Sequence, residues 1–399
     1  MDITIQPHSL RGDLTIIPSK SLAHRYLICA AFADKPTQIV CTQTNRDIEA
    51  TADCLRALGA EITRTDSGYC IFPCNVPPQK ATLNCGESGS TLRFLLPVAC
   101  ALGVETTFIL EGRLPDRPLS PLWEELQRMG CTLTRPTKNT ILCRGKLQSG
   151  EFTIDGGVSS QFITGLLFAA SLLPGESTIF VKGRLESKPY LDMTRQAMSD
   201  FGIATPNLCI CGGTPYQSPA RIQVEGDWSN GSFFSAANSM GSDINIAGLN
   251  PDSLQGDRAI LDLLPQLKTG FTTIPAADIP DLVPILSICA AAGHGAVFTD
   301  IRRLRLKESD RVASVIAMVE SLGGRAEATE NTLTIHGTGL RGGTVDAMND
   351  HRIAMSAAIA STVCADPVTI LGAECVSKSY PQFWDEFLRL GGKYEQYIR

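Results

Sequence analysis

An internal repeat is the feature that most limits the folds open to this sequence. Six segments share one pattern, in which an amphipathic helix ends at a glycine and a short strand-like stretch follows. They read DIEATADCLRALGAEITRT, PLSPLWEELQRMGCTLTRP, YLDMTRQAMSDFGIAT, DRAILDLLPQLKTGFTT, ESDRVASVIAMVESLGGRAEA and YPQFWDEFLRLGGKYEQ. The glycines stand where a left-handed helix C-cap is expected, and they are Gly59, Gly130, Gly202, Gly270, Gly323 and Gly391. Such repetition predicts an array of similar structural units.

A second pattern alternates with the first. Each copy has a polar turn, a helix rich in Ala, Leu and Ser with almost no polar face, and a β-rich stretch such as ETTFIL. A helix that is apolar on all sides is buried, so we predict an α/β fold whose units each have one buried helix, one solvent-facing helix and strands between them. Three units before about residue 226 and three after it predict two similar domains. The buried helices are predicted to begin near Ser21, Ser90, Ser160, Ser229, Asp281 and His351.

Charge and hydropathy exclude several kinds of partner. The formal net charge is −6 and the pI is near 5.5, so we expect no nucleic acid held by bulk charge, and any anion site must be local. No apolar run reaches the roughly 18 residues of a membrane span. The first residues, MDITIQPHSLRGD, lack both a signal-peptide core and an Arg-rich transit pattern. The sequence therefore predicts a cytoplasmic protein without a membrane partner.

Fourteen cysteines raise the question of disulfides or a metal site. They are scattered without a CxxC pair, and the closest spacings, Cys70 with Cys74 and Cys209 with Cys211, have no neighbouring histidine. The five histidines form no metal signature either. We therefore expect reduced, mostly buried thiols and no metal site.

Unusual polar residues gather in the turns that precede the buried helices. A buried helix N-terminus offers unpaired N–H donors and a partial positive charge, which suits phosphate or carboxylate. Cations at such a position, as in PSKSLAHR, indicate a nearby anion because the helix dipole alone disfavours them. The residues concerned are Lys20, Ser21, Arg25, Arg93, Ser159, Ser160, Gln161, Asp281, Asp350, His351 and Arg352.

Three further polar stretches lie just outside the buried helices. GRLPDRP contains Arg113 and Arg117, RRLRLKESDR contains five cations with Glu308 and Asp310, and SKSYP contains Lys378. Taken singly, a basic run is more often a solvated face with ion pairs, and a Gly/Ser turn is more often a helix cap. Cations that recur at corresponding points of a repeat in an acidic protein instead favour a small polyanionic substrate between the domains.

Common catalytic signatures are missing from the sequence. There is no Walker motif, no GxGxxG fingerprint, no GxSxG elbow and no HExxH motif. His24 and His351, taken alone, are more often structural hydrogen-bonding residues than catalytic ones. The candidate acid/base groups that remain are the carboxylates Asp281 and Glu308 and the lysines Lys20 and Lys378.

Nine short motifs together resemble one known family. PSKSLAHR, GESGSTLRFL, GRLPDRP, DGGVSSQF, SKPYLDMT, IPDLVPIL, LKESDR, NDHRIAM and SKSYPQFW occur in the order found in the 5-enolpyruvylshikimate-3-phosphate synthase family, from about Ser19 to Trp384. The resemblance implies a two-domain inside-out α/β barrel, the enolpyruvyl transferase fold, with three βαβαββ units and buried helices in each domain. It implies one domain at residues 1–19 plus 226–399 and the other at 20–225, with the active site in the cleft between them.

The resemblance also implies a reaction. The family transfers the enolpyruvyl group of phosphoenolpyruvate to the 5-hydroxyl of shikimate 3-phosphate and releases phosphate, a step of aromatic amino acid biosynthesis that needs no metal or cofactor. These two small molecules would be the partners of a monomer. Residues implied to hold shikimate 3-phosphate are Lys20, Ser21, Arg25, Ser159, Ser160, Tyr190, Asp281 and Lys307. Residues implied to hold phosphoenolpyruvate are Lys20, Gly89, Arg113, Gln161, Arg311, Arg352 and Lys378.

This addition and elimination, which passes through a tetrahedral intermediate, assigns roles to four side chains. One group must give a proton to the methylene carbon and take it back, another must take the hydroxyl proton, and cations must hold the leaving phosphate. We assign Glu308 to the methyl carbon and Asp281 to the hydroxyl. Lys20 and Lys378 are assigned acid and charge-stabilising roles.

Two positions depart from the family pattern. Glu87 stands where many members have Asn in the second phosphate turn, and a carboxylate beside a phosphate repels it unless an arginine pairs with that carboxylate. Arg303 stands where members have Asn ahead of the LKExDR segment, which changes the kind of contact expected there but keeps the preference for anions.

Three alternative functions are compatible with a related fold. The enolpyruvyl transferases that act on UDP-N-acetylglucosamine carry a reactive cysteine in the loop that here reads GRLPDRP, whereas no cysteine lies between Cys100 and Cys131. An RNA-terminal-phosphate cyclase would need a nucleotide-binding histidine and RNA contacts, neither of which is visible. A non-catalytic binding module would bind the substrates without releasing phosphate. The presence of both lysines, both carboxylates and the arginines favours the enzyme.

Overall fold

The computed structural model describes residues 1–397, so the last two residues of the predicted range 226–399 lie outside the described part. The chain divides into two compact units. The middle unit is Pro18–Glu225, and the terminal unit is Met1–Ile17 together with the chain from Gly226 onward.

Buried and surface helices alternate along the chain, as the two interleaved patterns predict. The odd-numbered helices are mostly buried, and in α3 every residue is buried except Ser90 and Leu102. The even-numbered helices bury one face and expose their charged side chains, as in α2. The helices in residues 1–397 are α1 (Lys20–Ala31), α2 (Arg46–Ala57), α3 (Gly89–Leu102), α4 (Leu122–Arg128), α5 (Ser160–Leu172), α6 (Lys188–Asp200), α7 (Trp228–Ser239), α8 (Ile260–Thr269), α9 (Val283–Ala292), α10 (Arg311–Ser321), α11 (His351–Ala360) and α12 (Phe383–Arg389).

The strands form three sheets in each unit. They are β1 (Asp2–Gln6), β2 (Arg11–Thr15), β3 (Thr37–Val40), β4 (Glu61–Thr65), β5 (Gly68–Phe72), β6 (Lys80–Gly86), β7 (Glu105–Leu110), β8 (Cys131–Thr137), β9 (Thr140–Gly145), β10 (Glu151–Asp155), β11 (Glu176–Lys182), β12 (Cys209–Cys211), β13 (Arg221–Gln223), β14 (Asp243–Ala247), β15 (Thr272–Pro275), β16 (Gly295–Thr299), β17 (Arg325–Ala328), β18 (Thr332–His336), β19 (Gly343–Asp346), β20 (Val368–Leu371) and β21 (Lys393–Tyr397).

The connections follow from strand direction. Parallel strands need a crossover connection, and in four sheets the crossover is a buried helix, as in β6–α3–β7 and β15–α9–β16. The surface helix and two antiparallel strands then complete a βαβαββ unit, as in β6–α3–β7–α4–β8–β9. The predicted fold is confirmed in these units.

Distant parts of the chain close the remaining sheets. Strand β13 pairs in parallel with β3, and β2 pairs in parallel with β14, so each supplies the first strand of a unit from another part of the sequence. Strand β1 likewise joins β20 and β21. The repeats are also unequal, because the sheet β10–β11–β12 has three strands and the sheet β14–β2 has two within residues 1–397.

Five of the six predicted C-cap glycines adopt positive φ, from 78° at Gly202 to 107° at Gly59. Gly270 is the exception, and the prediction of a left-handed cap is wrong there. Its φ of 168° is extended backbone, so the chain leaves α8 directly toward β15.

Each unit has its own hydrophobic core, centred on its buried helices. All fourteen cysteines lie in the described part of the chain as free thiols, and ten of them are buried, in agreement with the sequence. Within residues 1–397, no helix has the length and hydropathy that a bilayer crossing requires.

Candidate active site

The first turns of the buried helices α3 and α5 lie side by side in the middle unit. The guanidinium of Arg93 donates from Nη1 to Oε1 of Gln161 at 3.1 Å, and Nε2 of Gln161 donates to Oγ of Ser90 at 3.0 Å. Helix N-termini that meet in this way bring their unpaired N–H groups to one place. The structure therefore brings together two of the turns that the sequence predicts to bind anions.

Lys20 is the first residue of α1, and its ammonium pairs with the carboxylate of Asp47 at 3.0 Å. Both side chains are partly buried, with 17% and 19% of their surface exposed. The cation at the start of a buried helix thus forms an ion pair with a carboxylate from the first turn of α2. Sequence reasoning missed Asp47, because an acidic residue at a helix start is also the usual complement of the helix dipole.

Gly89 lies where two arginines approach the backbone. A Cβ atom at this position would come within 2.5 Å of Nη1 of Arg93 and 2.7 Å of Nη1 of Arg117. No side chain larger than hydrogen fits there unless a guanidinium moves. The turn before α3 therefore combines a helix N-terminus with two cations, which is the composition of a phosphate site.

Arg113 and Arg117 differ in position although they are four residues apart. The single 3₁₀ turn Leu114–Asp116 separates them, leaving Arg113 exposed and carrying Arg117 to Gly89. The carboxylate of Glu87 lies beside Gly112, where an added Cβ atom would come within 2.5 Å of it. Sequence spacing alone did not show that Arg117, and not Arg113, lies at Gly89.

Arg25 is almost fully buried and holds α1 to α6. Its guanidinium donates to the carbonyl of Ser21 at 2.6 Å, to the carbonyl of Tyr190 at 2.8 Å and to Oγ1 of Thr194 at 2.9 Å, and it lies over the ring of Phe94. Burial lowers the pKa of Arg25 to about 10, so the side chain remains cationic at pH 7. Three of its five N–H donors are thus used within the protein.

The turn before α5 is capped by the serine predicted from DGGVSSQ. Oγ of Ser159 accepts a hydrogen bond from the backbone N–H of Gln161 at 3.3 Å, and Ser160 is buried at the first helical position. The cap accounts for part of this motif, in line with the expectation that a Gly/Ser turn taken singly is a helix cap. The partly exposed side chain of Gln161 is held by the contacts to Arg93 and Ser90.

In the terminal unit, Asp281 is surrounded by cations. Its Oδ1 accepts from Nη1 of Arg311 at 2.7 Å and lies 3.7 Å from the ammonium of Lys307, and its Oδ2 accepts from Nη2 of Arg352 at 2.9 Å. Burial alone would raise the pKa of Asp281, but the three cations hold it well below its usual range. The carboxylate is therefore ionised at neutral pH.

Arg311 joins three carboxylates in one cluster. Besides Asp281, it donates from Nη2 to Oε2 of Glu308 at 2.7 Å and from Nε to Oδ2 of Asp350 at 3.2 Å. Its side chain is 1% exposed. Burial alone would lower the pKa of Arg311, but the carboxylates raise this pKa above its ordinary value. The residue predicted to hold phosphoenolpyruvate thus directs most of its N–H groups at protein carboxylates and at the carbonyl of Pro280.

The turns that hold Lys307 and Lys378 place two further cations in the terminal unit, of which Lys378 is buried and Lys307 is 19% exposed. Burial lowers the pKa of Lys307 to about 8, despite the opposing charge of Asp281. The ammonium of Lys378 donates to the carbonyl of Asn349 at 3.0 Å. Asn349 has a φ of 55°, so that carbonyl belongs to a left-handed turn just before α11.

Asp350 caps α11 and completes this turn. Its Oδ1 accepts from the N–H of Arg352 at 3.0 Å, and its Oδ2 accepts from Oγ of Ser309 at 3.1 Å as well as from Arg311. With 0% of its side chain exposed, Asp350 orients the guanidinium of Arg311 and caps the helix on which Arg352 lies. No group of three or more His, Cys, Asp and Glu side chains in residues 1–397 is arranged to hold a metal ion.

Asp257 is a buried carboxyl group that sequence reasoning missed. It lies in the turn before α8 with 4% exposure, and its Oδ1 has no hydrogen-bond partner within residues 1–397. Burial, reinforced by the charge of Asp281 and opposed by Arg352, raises the pKa of Asp257 to about 7. In sequence it resembles an ordinary acidic residue at a helix start, so its type and position gave no signal.

We expect Asp257→Asn to change how stability depends on pH. The folded protein keeps a proton on Asp257 up to about pH 7, whereas an unfolded Asp releases its proton near pH 4. Because the folded state binds the extra proton between these values, the free energy of unfolding falls as pH rises through this window. The asparagine does not titrate, so it should remove about 3 kcal/mol of this fall between pH 5 and pH 8.

Urea unfolding of both proteins at pH 5 and pH 8 measures the difference. Between pH 5 and pH 8, the free energy of unfolding should fall less in the variant than in the parent protein. Equal changes with pH in the two proteins would contradict the raised pKa of Asp257.

The geometry of the two clusters defines what they can do chemically. The middle unit presents helix N-termini with Lys20, Arg93 and Arg117, which suit phosphate or carboxylate groups. The terminal unit presents an ionised carboxylate, Asp281, among cations, and a partly exposed carboxylate, Glu308, at 28%. Anion binding and proton transfer are therefore the chemistry that these side chains support.

Comparisons with known proteins identify the family. The family described as EPSP synthase (3-phosphoshikimate 1-carboxyvinyltransferase) matches residues 5–387. The 3-phosphoshikimate 1-carboxyvinyltransferases of Clostridium kluyveri and Clostridium beijerinckii are 38% and 37% identical to this chain, and each alignment covers 99% of it and at least 98% of the relative. A solved EPSP synthase from Acinetobacter baumannii, 24% identical, has the same fold with a TM-score of 0.81 over 99% of this chain and 100% of that one. The chain therefore belongs to the EPSP synthase (3-phosphoshikimate 1-carboxyvinyltransferase) family.

Proposed function

We propose that this chain transfers the enolpyruvyl group of phosphoenolpyruvate to the 5-hydroxyl of shikimate 3-phosphate and releases phosphate. The family match over residues 5–387 carries the proposal, because relatives that align along their whole length bear the name of this activity. The placement of cations at the starts of buried helices agrees with two phosphorylated substrates.

The turn at Gly89 is our candidate site for phosphoenolpyruvate. We assign Gln161 and Lys20 to it as the sequence predicts, and we add Arg117, whose guanidinium lies at Gly89. Arg113 lies exposed in the same loop and is retained as a further contact. Arg311, Arg352 and Lys378 are the proposed contributions of the terminal unit.

Shikimate 3-phosphate is assigned to the remaining predicted residues. Ser159 and Ser160 offer hydroxyl and N–H donors at the start of α5. Arg25 has two N–H donors beyond the three used within the protein, and Ser21, Tyr190, Lys307, Lys20 and Asp281 complete the set.

Four side chains are assigned to the chemistry. Asp281 is ionised, so it can accept the proton of the attacking 5-hydroxyl without first losing one of its own. Glu308 exchanges a proton with the methylene carbon, and Arg311 holds its carboxylate at 2.7 Å. Lys20 and Lys378 stabilise charge on the carboxylate and the departing phosphate as the tetrahedral intermediate forms and collapses.

Phosphate release tests the proposed function directly. The purified protein is incubated with phosphoenolpyruvate and either shikimate 3-phosphate or UDP-N-acetylglucosamine. We expect release only with shikimate 3-phosphate, because the GRLPDRP loop lacks the cysteine of the UDP-N-acetylglucosamine enzymes. Release only with the nucleotide sugar would overturn the substrate assignment. Binding of both substrates without release would identify a non-catalytic module.

The proposal includes a monomeric cytoplasmic enzyme that works without a metal or other cofactor. The same assay should therefore give unchanged release after dialysis against EDTA, and light scattering of the same sample should give the mass of one chain, 42.9 kDa.

A further inference from the structure

A chain of buried hydrogen bonds joins α1, α2 and α3 in the middle unit. Nδ1 of His24 lies 2.7 Å from Oγ1 of Thr51, which lies 2.6 Å from Oγ1 of Thr91, and the hydroxyl of Thr91 donates to Oγ of Ser88 at 2.7 Å. The same Thr91 hydroxyl makes a longer contact of 3.5 Å with the carbonyl of Asp47. All four linked side chains are at most 1% exposed. Water therefore cannot replace any of these partners without a rearrangement.

The hydrogen-bond chain has one donor-to-acceptor direction, which His24 sets. Burial, together with the charges of Lys20 and Arg25, lowers the pKa of His24 well below its ordinary value, so the ring is neutral and carries one N–H. Its Nε2 is buried without a hydrogen-bond partner among the described residues. An orphaned buried N–H is rarer than an under-used acceptor, so the proton belongs on Nδ1 and is donated to Thr51.

Each later hydroxyl then passes its own hydrogen to the next oxygen. Thr51 donates to Thr91, and Thr91 donates to Ser88. Ser88 also accepts the backbone N–H of Thr91 at 3.2 Å as the N-cap of α3. The N-cap oxygen of Ser88 thus accepts two hydrogen bonds. One of them comes from the hydroxyl of Thr91, whose orientation depends on Thr51 and, through Thr51, on His24.

The ends of the chain lie at the proposed substrate-binding residues. His24 follows Lys20 by one helical turn on α1, and Thr51 follows Asp47, the partner of Lys20, by one turn on α2. Ser88 directly precedes Gly89. The hydrogen bonds therefore tie the first turn of α1 to the first turn of α3 alongside the Lys20–Asp47 ion pair.

We propose that the buried chain His24–Thr51–Thr91–Ser88 sets the position of the Gly89 turn relative to Lys20, with Thr51 as a positioning residue for phosphoenolpyruvate. This proposal rests on the proposed function, since Lys20 and the Gly89 turn are the groups assigned to phosphoenolpyruvate. Thr51 touches no substrate. It acts because small displacements of a binding turn weaken every contact made there.

The predicted effect is selective between the two substrates. Of the residues assigned to shikimate 3-phosphate, Ser159, Ser160 and Tyr190 lie on or just before α5 and α6, which the hydrogen-bond chain does not enter. Lys20, Ser21 and Arg25 lie on α1, which Arg25 ties to α6 without Thr51. Thr51→Val should therefore displace mainly the Gly89 turn, which is assigned to phosphoenolpyruvate alone. Thr51→Val keeps the shape of the side chain and removes the hydroxyl. We expect the KM for phosphoenolpyruvate to rise about tenfold, the effect of losing a buried hydrogen-bond link, with the KM for shikimate 3-phosphate changed less than about twofold.

Two variants separate this effect from a general loss of stability. Thr51→Ser restores the hydroxyl and should restore the KM for phosphoenolpyruvate. Thr106→Val removes another buried hydroxyl, whose one hydrogen bond within residues 1–397 goes to the carbonyl of Val104, and should leave both KM values unchanged. Equal rises of both KM values in Thr51→Val, or no rise in either, would overturn the proposal. If Thr51→Val does not fold, Thr91→Val breaks the same chain one link later and is judged by the same criteria.

Hydrogen exchange gives a test that does not depend on turnover. In Thr51→Val the amides of residues 88–91 should exchange at least about tenfold faster than in Thr106→Val, because the N-cap of α3 loses its anchor. Equal exchange in the two variants would overturn the positioning role. Absence of phosphate release in the unaltered protein would instead refute the proposed function, and the exchange experiment would still decide the role of Thr51.

Discussion

Turnover is expected to fall about 10³-fold in Lys20→Met, while the protein remains folded. Methionine keeps the unbranched stem of Lys20 and removes only the ammonium group. That group lies at the start of a buried helix and is the one we assign to charge stabilisation during the reaction. It can reach a substrate because 17% of its side chain is exposed despite the contact with Asp47.

The effect on stability is expected to be much smaller than the effect on turnover. Asp47 is 19% exposed, so its carboxylate can turn toward water when Lys20 is replaced, and the loss should be about 1 kcal/mol. Phosphate release under saturating substrates and urea unfolding measure the two quantities. Lys80→Met, which removes an exposed ammonium paired with Glu105, is the control and should leave turnover unchanged. Normal turnover in Lys20→Met would contradict the site assignment.

The fold was predictable because helix burial leaves a strong signal in the sequence. A helix such as α9, VPILSICAAA, has no polar face, and α2, RDIEATADCLRA, has a broad one, so their alternation identifies the layers. The origin of β2 and β13 was not predictable in the same way. Short strands that pair with distant sequence are set by the closure of each sheet, and no local pattern records the partner.

The candidate site was predictable in its residue types but not in their contacts. PSKSLAHR and LKESDR indicate that cations gather near an anion, yet sequence does not say whether that anion is a substrate or a carboxylate of the protein. Arg311 shows the difference, because its guanidinium contacts Asp281, Glu308 and Asp350. Within the same basic run, Arg302 pairs with Glu330 at the surface, as expected of a solvated face.

Arg311→Met is expected to destabilise the terminal unit by about 4 kcal/mol. The side chain of Arg311 is 1% exposed and forms an ion pair at 3.2 Å with Asp350, whose side chain is fully buried. Methionine approximates the volume of the stem but leaves that carboxylate without a charged partner in a place that water does not reach. Removing one member of a buried ion pair costs far more than removing an exposed pair, because the remaining charge stays desolvated.

Arg305→Met is the matched control, since it lies six residues away in the same basic run. Arg305 is 37% exposed and reaches Asp310 only at 3.6 Å, so its loss should cost less than about 1 kcal/mol. Urea unfolding at pH 7 measures both variants. Equal losses in the two variants at pH 7 would mean that Arg311 acts as an ordinary surface cation, and its three carboxylate contacts would then not hold the terminal cluster together.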